Sequence, residues 1–186
     1  MNDNERIQNY VKGLVSQVVK AFTDHHDDLE IQVTALGNIL IIGIRAHASE
    51  TPRIIGQQGR HVAALQTILG RVGKIIGRRI RLEIREAIKG EKSKLLPYRP
   101  NPDWTPGPMT ELLRLLLAAT TGDTDVEIAL ERANGAAMFR LDATSRAMTT
   151  LDNDPELVTA LDRILVAIGR QQGQQVFLEA ATLIEP

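Results

Sequence analysis

The chain contains its own partial copy, and that repeat limits the folds open to it. Residues 62–83 (VAALQTILGRVGKIIGRRIRLE) align without gaps with residues 158–179 (VTALDRILVAIGRQQGQQVFLE), 9 of 22 positions being identical. Upstream, Asp28-Leu29-Glu30-Ile31 answers to Asp125-Val126-Glu127-Ile128, and the helical stretch 11–22 answers to 109–120. Each block is offset by 96 to 98 residues in a chain of 186, so two small domains are expected rather than one large one. The copies part company in one place. Before the best-matched block, the first has Ile54-Ile55-Gly56-Gln57-Gln58-Gly59-Arg60, whereas the second has Leu151-Asp152-Asn153-Asp154-Pro155-Glu156-Leu157.

Hydrophobic periodicity gives each copy the order α-β-β-α-α-β, an α+β class. Ile7, Tyr10, Val11, Leu14, Val18 and Phe22 fall at helical spacing and predict a helix over about residues 5–23. Leu29, Ile31 and Val33 alternate with polar residues, Gly37-Asn38 makes a tight turn, and Leu40, Ile42 and Ile44 share one face of a second strand. Thr51 before Pro52 predicts an N-cap and a short helix ending at Gly56. A longer helix follows from Gly59 with Val62, Leu65, Ile68 and Leu69 inward. A last strand spans 79–85, with Ile80, Leu82 and Ile84 inward and Arg79, Arg81, Glu83 and Arg85 outward. The second copy repeats this with a helix over 109–119, a hairpin turn at Asn134-Gly135, a helix holding Val158, Leu161, Ile164 and Leu165, and a strand over 175–180. Five of the eight prolines (Pro97, Pro100, Pro102, Pro106, Pro108) lie between the copies and predict a semi-rigid spacer, with Tyr98 and Trp104 pinning it to a domain surface. The expected division is 1–94, a spacer over 95–108, and 109–186.

The net charge of −1 conceals a split. Residues 1–100 hold 16 Lys/Arg against 10 Asp/Glu, whereas residues 101–186 hold 6 against 13. A basic half beside an acidic half points to a polyanionic partner for the first alone. With no cysteine there is no disulfide, thiolate metal site or cysteine nucleophile. The first ten residues, MNDNERIQNY, hold no apolar signal core, and no run is long and apolar enough to span a bilayer; a cytoplasmic protein without membrane contact is expected.

The chemistry is expected in Gly56-Gln57-Gln58-Gly59. Glycines between two helices permit backbone angles closed to other residues and clear side chains from an approaching surface. A phosphate can then reach the N–H groups opening the next helix, where the helix dipole also favours an anion. Arg53 and Arg60 bracket the loop and would add charge-assisted contacts, while Ile54, Ile55 and Val62 offer apolar surface to bases. A second G-x-x-G, Gly70 to Gly73, falls within or at the end of a helix, where no such opening exists.

With its topology and loop, the first copy, residues 5–86, resembles a KH domain of the bacterial (type II) topology, residues 53–69 above all. The resemblance is to the small single-KH RNA-binding proteins of bacteria. It implies single-stranded RNA whose backbone is clamped over about four nucleotides. By position, Gly56, Gln57, Gln58 and Gly59 would touch phosphates, Arg60 and His61 would flank them, and Ile54, Ile55 and Val62 would line the groove. Family members often carry a lysine between the glycines. Here Gln57 and Gln58 donate hydrogen bonds without charge, so the expected clamp is either weaker or leans on Arg53 and Arg60. Arg79, Arg81, Arg85, Lys89, Lys92 and Lys94 would extend a non-specific footprint.

The second copy reads as a degenerate type II KH-like domain without the loop. Asp154 before Pro155 is an N-cap signal whose side chain would take the amides a phosphate needs, and Pro155 removes one N–H. Its expected use is contact with a protein, self-association through 109–186, or support of its neighbour. Other constellations lack chemistry. Asp24-His25-His26-Asp27-Asp28 is a polar turn rather than a metal site, Asp152-Asn153-Asp154 lacks the rest of a calcium loop, and His47 and His61 have no nucleophile to serve. No nucleotide-cofactor motif occurs, so neither a cofactor nor an enzyme is expected. Two alternatives stay open: a protein-interaction scaffold whose basic half meets an acidic partner, and DNA in place of RNA. Aromatics make up only 3% of the chain, so base stacking is sparse and sequence preference modest.

Overall fold

In the computed structural model, residues 2–85, 101–133, 135–143 and 145–180 are described. They fall into two compact units, one ending before residue 98 and the other following it.

The first unit opens with α1 (Asp3–Phe22), held at its start by a capping box in which the side chains of Asn2 and Glu5 each accept from the other's backbone N–H. Its buried stripe is Val11, Leu14, Val15, Val18, Val19 and Phe22. Tyr10, expected on that stripe, is 44% exposed because it sits at the edge of the buried face. The helix stops at Thr23, where His26 bonds through Nε2 to both Lys20 O (3.0 Å) and Thr23 O (2.7 Å). β1 (Glu30–Leu36) and β2 (Ile39–Arg45) form an antiparallel hairpin, and β2 pairs in parallel with β3 (Arg79–Ile84), the order being β1-β2-β3. Leu40, Ile42 and Ile44 are buried, as the alternation predicts.

A parallel pair cannot be closed by a hairpin and needs a crossover. Here it is built from α2 (Thr51–Ile55) and α3 (Arg60–Ile75). Thr51 is not the cap that the sequence predicts: Glu50 holds the cap position, and the Thr51 hydroxyl donates to His47 O. α3 buries Ala64, Leu65, Ile68, Leu69, Val72 and Gly73. Gln66, on its flank, braces the last strand, its amide donating to Ile80 O (3.0 Å) and accepting from Leu82 N (2.9 Å).

The second unit has the same six elements in the same order: α4 (Gly107–Thr121), β4 (Val126–Ala133), β5 (Ala136–Ala143), α5 (Ser145–Asp152), α6 (Pro155–Gln171) and β6 (Gln175–Ala180). β4 and β5 are antiparallel, β5 and β6 parallel. Equivalent positions make equivalent contacts. Gly73 O accepts from Arg78 N at 2.8 Å, and Gly169 O from Gln174 N at 2.8 Å. Arg78 donates to Gly37 O, and Gln174 to Gly135 O. Asp162, in the place of Gln66, takes the Leu178 N–H at 2.9 Å.

Of the proline-rich stretch, residues 101–108 are described. α4 begins at Gly107, and the residues ahead of it pack onto the second unit. Asn101 N donates to Gly173 O, Trp104 is buried, and its Nε1 donates to Gln172 Oε1 at 2.8 Å. Tyr98, Lys89, Lys92, Lys94 and Asn134 lie outside the described residues.

A Cβ at Gly73 would stand 2.5 Å from the Arg78 carbonyl oxygen, a backbone atom that cannot swing aside. Gly73→Ala is therefore expected to destabilise the first unit by about 1–3 kcal/mol in urea unfolding, despite alanine's better helix propensity.

Candidate nucleic-acid interface

The junction of α2 and α3 is a run of unusual backbone. Gly56 has φ 73 and ψ 169, a region nearly closed to side-chain-bearing residues. Gln57–Gly59 forms a single 3-10 turn in which Gln58 has φ 56, and Gly59, φ 75, is the N-cap of α3. The two glycines serve different ends. A Cβ at Gly56 would lie 2.4 Å from the His61 ring, whereas a Cβ at Gly59 would meet open space. Gln57 and Gln58 are exposed, and no side chain caps the start of α3. Arg60 folds back over the turn, donating to Gln57 O (3.2 Å) and Gln57 Oε1 (2.8 Å), so a glutamine holds a guanidinium at the loop.

Behind the turn, the expected contact residues divide. Ile54 is only 2% exposed and belongs to the core, whereas Ile55 and Val62 are half-buried beside the loop. His61 bonds through Nδ1 to Arg53 O at 2.7 Å and stacks on Phe22 with ring centroids 5.5 Å apart. A carbonyl only accepts, so Nδ1 carries the proton. Arg53 points inward: its NH1 donates to Asp24 Oδ2 (2.7 Å) and Glu50 Oε2 (3.0 Å), and its side chain is 14% exposed. Glu50 is itself buried and also accepts from His25 Nδ1 and Asp24 N. His25 stacks on His47 at 4.7 Å. Glu50 has no place among the residues singled out in the sequence, although its spacing to Arg53, one helical turn, is the one local signal of the pair. Among the described residues no three His, Asp or Glu side chains gather as metal ligands.

Residues 12–84 match the model of the KhpA/KhpB KH domain. The RNA-binding protein KhpA of Aquifex aeolicus is 34% identical over 76 residues, which is 96% of that protein and 41% of this chain. That of Halalkalibacterium halodurans is 32% identical over 74 residues (97% and 40%), and that of Listeria monocytogenes 33% over 76 residues (100% and 41%). The chain belongs to the KhpA/KhpB KH-domain family. This is a family of binding proteins, not of enzymes. The KH domain matched lies wholly in the first unit.

The arginines singled out in the sequence stand in different settings. Arg79 and Arg81 are exposed on the sheet face turned away from the helices, where Arg81 pairs with Glu83 at 3.3 Å. Arg85 crosses Gly43 to reach Gln32 Oε1 at 2.7 Å. Of the arginines, Arg60 alone is set on the loop itself. In the second unit the same junction is closed by its own side chain: Asp154 Oδ1 accepts from Leu157 N at 3.1 Å, Pro155 follows, and Glu156 lies in the first turn.

The two glycines are expected to respond differently to substitution. Gly56→Ala combines a forbidden backbone region with a clash on His61 and should cost about 1–3 kcal/mol in thermal unfolding. Gly59→Asn, at an angle asparagine tolerates and with room for its side chain, should cost well under half as much.

Proposed function

We propose that this chain binds single-stranded RNA by clamping its backbone on the Gly56-Gln57-Gln58-Gly59 loop of the first domain. The observation behind this is the loop itself. Three positive φ angles in four residues turn the chain so that a long helix starts without a side-chain cap, beneath an arginine held in place by Gln57. Such a start attracts phosphate through its N–H groups and its dipole. The relatives of this family, named RNA-binding proteins, supply the kind of polyanion. Gly56, Gln57, Gln58, Gly59 and Arg60 would meet the phosphates, with Ile55 and Val62 beside the bases. Ile54, Arg53 and His61 would support them from behind.

The same proposal takes the second domain as a KH-like copy that has lost the clamp. Shared element order, shared strand order and three equivalent hydrogen-bonded contacts support a common origin. Asp154, Pro155 and Glu156 put an acceptor, an imino acid and a negative charge where phosphate would sit. Its use would then be contact with a protein or a second copy of the chain, or support of its neighbour. The boundaries 1–94 and 109–186, with residues 101–106 attached to the second domain, belong to this proposal, as does action in the cytoplasm. No helix among the described residues is long and apolar enough to cross a membrane.

The test is fluorescence anisotropy with labelled single-stranded RNA and DNA of matched sequence, using the native chain and Gln57→Asp/Gln58→Asp. Both glycines remain, so the fold survives while two negative charges face the phosphate. Native binding is expected to fall with a slope of about −0.7 per phosphate contact in log K against log salt. The variant is expected to bind at least about tenfold more weakly, which is 1.4 kcal/mol. Equal affinity in native and variant would remove the loop from the interface. No RNA or DNA binding at all would favour a scaffold that meets an acidic protein.

A further inference from the structure

We propose that Glu50 is the positioning residue of the clamp, and that Arg53 acts on the nucleic acid through Glu50 rather than by holding a phosphate. This rests on the RNA reading above and adds to it how the loop is kept in place. Glu50 is 1% exposed. Both of its oxygens are occupied by donors: Oε1 by Asp24 N (3.2 Å) and His25 Nδ1 (2.8 Å), and Oε2 by Arg53 NH1 (3.0 Å). The Asp24 carboxylate completes the cluster by accepting from the same Arg53 NH1. A buried carboxylate persists only when paired and fully hydrogen-bonded, and breaking one partner leaves an uncompensated charge. The partners come from two elements, the turn after α1 and the helix α2.

α2 needs such an anchor. It has five residues, too few to be stable alone, and it buries only Ile54. Its C-terminus runs directly into Gly56. The Arg53 side chain is fastened to Glu50, and the Arg53 carbonyl receives the His61 Nδ1–H at 2.7 Å. The His61 ring lies against Gly56 and on Phe22. Glu50 thus fixes the strand of chain entering the loop and, through Arg53 and His61, the first turn of the helix leaving it. An amide cannot replace the carboxylate. All three partners are donors, so glutamine would turn its NH2 either toward Arg53, losing that bond, or toward Asp24 N–H and His25 together, losing the first and forcing the second to change tautomer.

The experiment compares the native chain, Glu50→Gln, Arg53→Met and the double variant, each at a temperature where circular dichroism shows it folded. Two readouts are taken: affinity for a labelled random-sequence RNA dodecamer across a salt series, and the amide resonances of Gly56, Gln57, Gln58 and Gly59 without RNA. Each single change is expected to weaken binding about tenfold. The double change should be no weaker than the worse single one, because both act on one linkage. The salt slope should match native, and the loop resonances should move in every variant. Additive losses with a slope shallower by about 0.7 in Arg53→Met would make Arg53 a phosphate ligand and overturn the proposal. Unmoved loop resonances in Glu50→Gln would overturn it whatever the RNA result. If the native chain binds no RNA, the RNA reading falls; shifted resonances would then still sustain Glu50 as the loop's anchor. Should Glu50→Gln fail to fold, Glu50→Asp keeps the charge and withdraws it by one methylene, giving the same readouts in smaller measure.

Discussion

The parallel pairing of β2 with β3 is the constraint on which the rest of the first unit depends. Two strands that run the same way cannot be joined at one end, so the chain must travel back along the sheet before β3 can begin. Ile39 is paired with Arg79, which puts the end of α3 beside the β1–β2 hairpin. The start of α3, and the glycine loop before it, therefore lies at the opposite end of the unit. β5 and β6 impose the same route on the second unit. The end of the unit at which the junction between the two crossover helices lies is thus set by strand direction. Its chemistry is left to a handful of residues, which is why Gly56-Gln57-Gln58-Gly59 in one unit and Asp152-Asn153-Asp154-Pro155 in the other can stand at equivalent places and differ so completely.

Charge in this protein operates at two ranges. The excess of basic residues in the first half gives a long-range attraction for anions, of a kind that fades with salt. Local contact is a separate matter, decided by where each guanidinium is spent. Arg53 is turned inward on Glu50 and Asp24, Arg85 lies across the sheet to Gln32, and Arg79 and Arg81 face away from the helices. Arg60 is the one placed over the turn, and Gln57 places it. Gln57, standing between the glycines, carries no charge itself but holds the Arg60 guanidinium at the turn.

What the sequence discloses and what it hides follow from the range of the interactions. Elements written in local periodicity were legible: the stripe of α1, the alternation of β2, the glycine turn at residue 37, and the Asp154 cap with proline behind it. The loop was legible because its place in the element order separates it from the decoy at Gly70 and Gly73. The environment of the loop was not. Asp24 and Arg53 are 29 residues apart and His61 meets Phe22 from 39 residues away, so no spacing rule joins them. Arg53 flanks the glycines and stands one helical turn from Glu50, but only the fold buries that carboxylate and brings Asp24 to the same guanidinium. Likewise Trp104 sits among prolines in the sequence, yet its indole N–H is committed to Gln172.

Gln66 has a consequence beyond holding α3 to β3. β3 is the last strand of its sheet, and the backbone groups of Ile80 and Leu82 face away from β2, toward any chain that came alongside. Such open borders are where globular proteins stick to one another. The Gln66 amide occupies both groups as a neighbouring strand would, and Asp162 does so for the Leu178 N–H. A foreign strand would have to break these bonds before making its own. At the β3 and β6 borders, growth of the sheet is thus opposed by one side chain from the unit's own helix.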